Sequence, residues 1–329
     1  MRHSHSAAIV SSSQNIPLTL EEQWTTFLRV EVASGNASDD TLKTYIAHIK
    51  QFFKWCRHNR LDPLHLNRLQ IKNYRHYLVE RMNYKPATIA LKLTTVRRFY
   101  DCAISYGLIS FNPALGIKPP VEKRDPAERI NYLERAEVAQ LLASLPTDDS
   151  VASLRERTLI GIMVLQGCRT VEMHRLKMHD IIRQGNNVGL RVSGKRSIRV
   201  VPLTPDLALL LDKYLAARTA AGDRLNDNTP IFISLSNANY GEPLSRRSIQ
   251  RIVQKHLQAF KQTGTNARKL TTHSLRHTAG TLALRTGAEL RQVQDMLGHA
   301  DPRTTALYAH IADRWERNPA LAFGVRIQV

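Results

Sequence analysis

Late in this chain Tyr308 follows His299 by nine residues, in the run LGHADPRTTALYAH (Leu297–His310). Just upstream, THSLRHTAGT (Thr272–Thr281) carries a His-x-x-Arg pair, His273 and Arg276. A phenol near imidazoles and guanidiniums suits attack on a phosphodiester without a metal ion. Such a reaction needs a nucleophile, neutralisation of charge on the phosphoryl oxygens and a proton for the leaving alkoxide. Tyrosine can be that nucleophile and conserve the bond energy in a covalent intermediate. Its free pKa of about 10 makes it weak at neutral pH, and nearby cations help by favouring the phenolate. Arginine's planar fork can donate two parallel hydrogen bonds to a phosphate. Three residues apart, His273 and Arg276 can share one face of a helix. Lys195 stands between two β-prone stretches in RVSGKRSIRVVPL (Arg191–Leu203), at the expected tip of a hairpin from which an ammonium could reach a leaving 5′ oxygen.

Each residue also has an ordinary alternative. Tyr308 alone reads as a half-buried aromatic, Lys195 as a solvated turn lysine, and Arg169 as a partner for Glu172 one turn on. His273 and His277 have the spacing of a metal pair, but the glutamate that follows the first histidine in zincins is absent. The site is therefore expected to hold no metal and no cofactor.

Composition bounds the partners. The chain has 47 Lys+Arg against 28 Asp+Glu and a net charge of +19, spread along its length. Diffuse positive charge on folded domains suggests a long contact with a polyanion, with counterion release supplying much of the affinity. With 329 residues there is room for two domains. No window approaches the roughly 18 apolar residues of a membrane span, and the AAIV run near the start is too short for a signal-peptide core. Three distant cysteines, Cys56, Cys102 and Cys168, show no metal-ligand spacing and fit a reduced intracellular compartment, the cytoplasm.

The elements that must position these groups follow from periodicity. Residues 1–17 read as a disordered start. Residues 18–117 read as a helical DNA-binding bundle, opened by a Thr19–Glu22 capping box and a Ser38 cap. Its helices carry apolar stripes with Lys43, Lys50, Lys54 and Arg57 beside one, and Lys92, Arg97 and Arg98 among another. These seven are the candidate DNA contacts. A proline- and charge-rich linker is expected at 118–131. The second domain, 132–329, reads as helices 133–145 and 154–165, short strands 179–182, 188–193 and 197–203, then helices 205–217, 245–261, 273–285, 290–297 and 302–312. The fold class is thus mainly α with a small antiparallel β-sheet.

These runs resemble the tyrosine recombinases, the phage-integrase-like or Xer-like site-specific recombinases. QGCRTVEMHRLKMHDI (Gln166–Ile181) is similar to the family's first box, placing its arginine on Arg169 and its acidic residue on Glu172. HSLRHT matches the His-x-x-Arg box at His273 and Arg276, and LGHADPRTTALYAH the third box at His299 and Tyr308. The strand–Gly-Lys–strand run places the family's hairpin lysine on Lys195. TLKTYIAHIKQFFKWC and ATIALKLTTVRRFYDCAISYGLISFNP look like its helical core-binding domain, so the resemblance covers roughly residues 18–312. Cys168 and Met173 stand where the family is usually aliphatic; both are apolar enough for a core.

The resemblance implies a two-domain, C-shaped clamp around double-stranded DNA with inverted-repeat core sites. It implies that Arg169 and Arg276 hold the scissile phosphate, that His273 assists as donor or proton shuttle, and that His299 donates to the phosphate. Lys195 would protonate the leaving 5′-hydroxyl, Glu172 would orient the basic groups, and Tyr308 would form a 3′-phosphotyrosyl bond. Strand exchange would pass through a Holliday junction in a homotetramer on two DNA sites, without ATP or metal. The tail Asn318–Val329, whose Val325, Ile327 and Val329 alternate with polar residues, is a candidate for exchange between subunits. The short start is expected to leave no room for an extra arm-binding domain. Two alternatives stay open: a type IB topoisomerase-like relaxing enzyme and a catalytically silent DNA-binding protein.

Overall fold

The computed structural model describes residues 19–32, 37–121, 130–194, 198–260, 268–302 and 304–308. The start 1–17, Lys195 and the tail 318–329 lie outside them. The chain divides into two compact units, Met1–Lys123 and Arg124–Val329.

The first unit is a bundle of α1 (Leu20–Glu31), α2 (Asp39–His58), α3 (Arg68–Glu80) and α4 (Pro86–Ser105). The Thr19 N–H donates to the Glu22 carboxylate at 2.8 Å and the Glu22 N–H returns to the Thr19 hydroxyl, so two otherwise orphaned donors are satisfied. Ser38 caps α2 and Asn67 caps α3, while α4 opens on Pro86, whose missing N–H costs nothing at that position. Trp24, Phe52, Tyr74, Phe99 and Tyr100 fill the centre. Phe52 meets Tyr74 edge-on with ring centroids 4.9 Å apart, a favoured aromatic geometry, and the Tyr100 hydroxyl donates to the Pro63 carbonyl at 2.8 Å.

On α2 the exposed side chains Lys43, Lys50, Lys54 and Arg57 form one stripe, opposite the buried Ile49, Phe52 and Cys56. On α4 Arg98 is exposed and Arg97 half-buried. Lys92 departs from the expected basic surface. It is 5 % exposed, donates to Gln51 Oε1 and lies 4.9 Å from the Tyr84 ring centroid. Its position, three residues after Ile89 and four before Val96, puts it on the buried side of α4, where helical period overrides the outward preference of a lysine.

The second unit contains α5 (Arg135–Ala143), α6 (Val151–Gln166), α7 (Thr170–Arg175), β1 (Ile181–Gln184), β2 (Asn187–Ser193), β3 (Ile198–Pro202), α8 (Pro205–Ala220), α9 (Arg246–Leu257), α10 (Thr272–Arg285) and α11 (Leu290–Leu297). Residues 304–308 are again helical. The strands form an antiparallel sheet in the order β1-β2-β3, with Leu190 opposite Ile181 on one side and Val201 on the other. Helix α6 is buried along most of its length. A Cβ on Gly161 would stand 2.7 Å from Leu207 Cδ2, which shows how closely α8 packs there.

Three local differences from the expected elements have simple causes. The first strand starts at Ile181 rather than 179, because Met178–Asp180 forms a 3-10 turn closed by the Lys177 N–H on Asp180 Oδ2 at 3.0 Å. The helix expected over 245–261 ends at Leu257 and tightens into a 3-10 turn at Gln258–Phe260. Helix α7, too short to show a period, was not expected. Cys56, Cys102 and Cys168 are buried free thiols. Among the described residues no helix is long and apolar enough to cross a membrane.

Candidate active site

Three helix ends build the site. Helix α6 stops at Gly167, whose φ of 65° turns the chain in a left-handed conformation that favours glycine. That turn leaves the Gly167 carbonyl free to accept Arg276 Nη1 at 2.7 Å. Helix α11 stops in the same way at Gly298, φ 64°. Its last carbonyls then hold three arginines in succession. Met296 O accepts Arg199 Nε at 2.8 Å, Leu297 O accepts Arg276 Nη2, and Gly298 O accepts Arg169 Nη2 at 3.1 Å. The final carbonyls of a helix lack partners within it and carry the negative end of its dipole, so guanidiniums bind there favourably.

A buried carboxylate completes the frame. Arg169 is the N-cap of α7, and Glu172, fully buried one turn on, accepts its backbone N–H at 2.7 Å and its Nη1 at 2.8 Å. From β3, Arg199 adds two more bonds to the same carboxylate, at 2.8 and 3.1 Å. Burial alone would raise the Glu172 pKa; the Arg199 and Arg169 guanidiniums and the Arg169 N–H override it and hold the carboxyl below its ordinary range. Arg276, 5 % exposed, has its pKa pushed down to about 10 by burial and by Arg169, and stays charged at neutral pH. Cys168 and Met173 are both buried beside this frame, and burial pushes the Cys168 thiol up to about 12, so it acts as packing.

Tyr308 is 2 % exposed and packs with Leu284, Val293 and Leu297. Its hydroxyl meets Nδ1 of His277 at 2.9 Å. Its ring comes close to Gly280: a Cβ there would stand 3.0 Å from Tyr308 Cδ2. His299 stacks on the other side, ring centroids 6.0 Å apart at 25°, with its Nδ1 on Thr305 Oγ1 at 2.9 Å. Burial raises the Tyr308 pKa, with Arg276 and Arg169 opposing it. Burial and the surrounding cations push His277 and His299 down to about 4, so both rings are neutral at neutral pH.

His273, on the next exposed face of α10, opens into a cleft of about 630 Å³ that it lines with Arg169, Ser245, Arg247 and Gln250. Enclosure by the cleft, then Arg276 and Arg169, lower its pKa. The structure thus brings together Arg169, Glu172, His273, Arg276, His299 and Tyr308, all from the second unit. Lys195 lies outside the described residues, and Lys43, Lys50, Lys54, Lys92, Arg57, Arg97 and Arg98 belong to the first unit.

Two members of the cluster were not foreseen, Arg199 and His277. Arg199 sits on a strand whose alternation is inverted. Ile198 and Val200 are 72 % and 54 % exposed, while Arg199 and Val201 face in. His277 was weighed only as half of a metal pair, yet its Nδ1 is engaged by the phenol. A tyrosine as apolar-flanked as Tyr308, thirty-one residues downstream of a helical histidine, gives no spacing signal for that contact.

Comparison with known proteins identifies the family of the chain. The profile of the Phage integrase family matches residues 131–314, and that of the phage integrase N-terminal SAM-like domain matches residues 22–107. The chain is 33% identical over 280 residues to tyrosine recombinase XerD of Pseudomonas aeruginosa, covering 84% of this chain and 88% of that protein. It is 31% identical over 304 residues to tyrosine recombinase XerC of Proteus mirabilis, covering 90% and 92%. Its fold is similar to that of the XerH site-specific recombinase bound to palindromic difH substrate in a post-cleavage complex. The TM-score is 0.67 at 19% identity, over 92% of this chain and 95% of that one.

Proposed function

The chain belongs to the phage integrase family and is a tyrosine-type site-specific DNA recombinase, and from that premise we propose which of its residues cut and rejoin the strand. Arg169 and Arg276 hold the non-bridging oxygens of the scissile phosphate, presented from the ends of α7 and α10. His273, opening into the cleft, donates to the same phosphate or relays a proton, and His299 donates from the Tyr308 side. Tyr308 attacks phosphorus and forms a 3′-phosphotyrosyl bond, while Lys195 supplies the proton to the departing 5′ oxygen. A 5′-hydroxyl from the partner duplex then reverses the step, and two rounds pass through a Holliday junction. Glu172 touches no DNA; it keeps two guanidiniums in place.

The observation that carries this reading is the frame itself. Glu172 and the Gly298 carbonyl fix Arg169, the Gly167 and Leu297 carbonyls fix Arg276, and both guanidiniums act electrostatically on the Tyr308 phenol. Preorganised cations aimed at developing phosphoryl charge are the main resource of a metal-free phosphoryl transfer. The exposed lysines and arginines of α2, with Arg97 and Arg98, supply phosphate contacts from the first unit. Assembly as a homotetramer on two inverted-repeat sites, exchange of the 318–329 tail between subunits, and a cytoplasmic, nucleoid-associated location belong to the same proposal.

The test uses a nicked duplex carrying the sequence that the full chain selects from a random-sequence library. Loss of the 5′ fragment at the nick traps the covalent adduct on a denaturing gel. The parent should accumulate adduct and Tyr308→Phe should form none. An adduct that persists in Tyr308→Phe removes Tyr308 from the role.

A further inference from the structure

Three histidines surround the nucleophile, and they are not equivalent. His273 opens into the cleft. His299 lies face to face with the Tyr308 ring and spends its Nδ1 on Thr305 Oγ1. His277 alone of the three points a ring nitrogen at the phenolic oxygen, at 2.9 Å. The contact is built into α10. His277 directly follows Arg276 in sequence, and Gly280, one turn on, clears the space in which the Tyr308 ring lies. A side chain at position 280 would lift the ring off the helix and take the hydroxyl away from His277.

The surroundings set the protonation states of the two groups. The buried phenol keeps its proton. The His277 ring is kept neutral by burial and by its neighbours His273 and Arg276 on α10, with His299 facing it from beyond α11. With the ring proton on Nε2, the phenol O–H donates to a neutral Nδ1, the arrangement from which a general base works.

We propose that His277 is a further catalytic residue of this recombinase, the group that takes the phenolic proton of Tyr308 as it attacks. The step rests on Tyr308 as nucleophile, as assigned above. The O–H bond of Tyr308 breaks and its proton passes to His277 Nδ1. The freed electron pair forms the Oη–P bond, the P–O5′ bond breaks, and the 5′ oxygen leaves as a hydroxyl with the proton assigned to Lys195. Rejoining returns the proton from His277 to the phenol. DNA itself raises the basicity of His277. A scissile phosphate between Arg169 and Arg276 cancels the positive charge that disfavours a protonated ring, so proton acceptance becomes favourable only once substrate is bound.

A ring that merely holds the phenol must be told apart from one that takes its proton. Asparagine places its amide head where Nδ1 stands and can hold the hydroxyl, but it is not basic. In single-turnover cleavage of the nicked duplex at pH 7, both His277→Ala and His277→Asn should form adduct about 10²-fold more slowly than the parent. Retention of the same duplex and an unchanged melting transition show that the variants are folded. Replacing Tyr308 by 3,5-difluorotyrosine, whose hydroxyl is more acidic, should restore at least about 10-fold in either variant and change the parent by less than about 3-fold, because a readily ionised phenol needs no base. A parent-like rate in His277→Asn means that holding suffices and overturns the proposal. So does a parent-like rate in His277→Ala, or a fluorinated rescue of equal size in parent and variants. Adduct surviving in Tyr308→Phe would instead overturn the assignment of the nucleophile.

Discussion

Replacing Glu172 by glutamine tests the frame that holds the arginines. All four hydrogen bonds to this carboxylate come from donors: Arg169 N and Arg199 Nη2 to Oε2, Arg169 Nη1 and Arg199 Nη1 to Oε1. A glutamine amide has one oxygen, so in either orientation its NH₂ faces two donors and half the bonds are lost. Both guanidiniums also lose their buried counter-charge. Breaking a buried pair by removing one partner costs about 3–5 kcal/mol. Arg199 keeps Met296 O and Arg169 keeps some solvent, which puts the expected loss near the lower end, about 3 kcal/mol. For a unit of this size that lowers Tm by about 6–12 °C, read by thermal and urea unfolding at pH 7.

The pH dependence gives an independent check. The Glu172 carboxyl is held below its ordinary value of 4.5 in the folded chain. Its contribution is therefore fully present above that value and is lost as pH falls through the lower, folded one. The stability gap between parent and Glu172→Gln should be constant from neutral pH down to about 5 and narrow progressively below about 4.5. Adduct formation should fall with it, since Arg169 is no longer aimed. A gap under about 1 kcal/mol at pH 7, or one that does not narrow as pH falls below about 4.5, would refute the reasoning that the carboxylate is charged and holds both arginines.

Two other expectations concern different parts of the chain. In Gly298→Ala a left-handed φ acquires a Cβ 2.9 Å from Arg199 Nη1; the variant should lose about 1–2 kcal/mol and cleave more slowly, and parent-like melting and cleavage would remove α11's end from the frame. Replacing Lys43, Lys54 and Arg57 together by alanine should weaken binding to any duplex and reduce the log–log salt slope by about 2–3, whereas an unchanged slope in a binding titration would take the α2 stripe off the DNA.

Much of this was readable from residues alone, and the reasons differ by element. Thr19 and Ser38 announce helix starts because their hydroxyls have only local work to do. That Arg169, Glu172, Arg276, His299 and Tyr308 would come together was legible because each lies in a short run that resembles one of the family's boxes. Arg199 was not, since nothing local distinguishes it from a solvated strand arginine. It turns in because a buried carboxylate twenty-seven residues earlier needs a second cation, and the exposure of Ile198 and Val200 follows from that. Lys92 misled for the converse reason: its charge suggested surface, while its place on the α4 stripe put it in the core. A distant partner decided the orientation of Arg199, and no window of sequence contains it; for Lys92 the local helical period decided, against its charge.

The end of α11 also sets an order of events in the life of each molecule. Arg169, Arg199 and Arg276 leave the ribosome before the carbonyls of Met296, Leu297 and Gly298 that will hold them, and Tyr308 emerges only ten residues after the last of these. A nascent chain that has not reached Gly298 carries the arginines proposed to bind phosphate without the carbonyls that hold them and without the hydroxyl proposed to attack. On the proposed roles, the geometry for breaking DNA and the atom that breaks it are completed within one short stretch, Met296 to Tyr308. A product stalled before that stretch would attach to DNA by charge without an assembled means of nicking it.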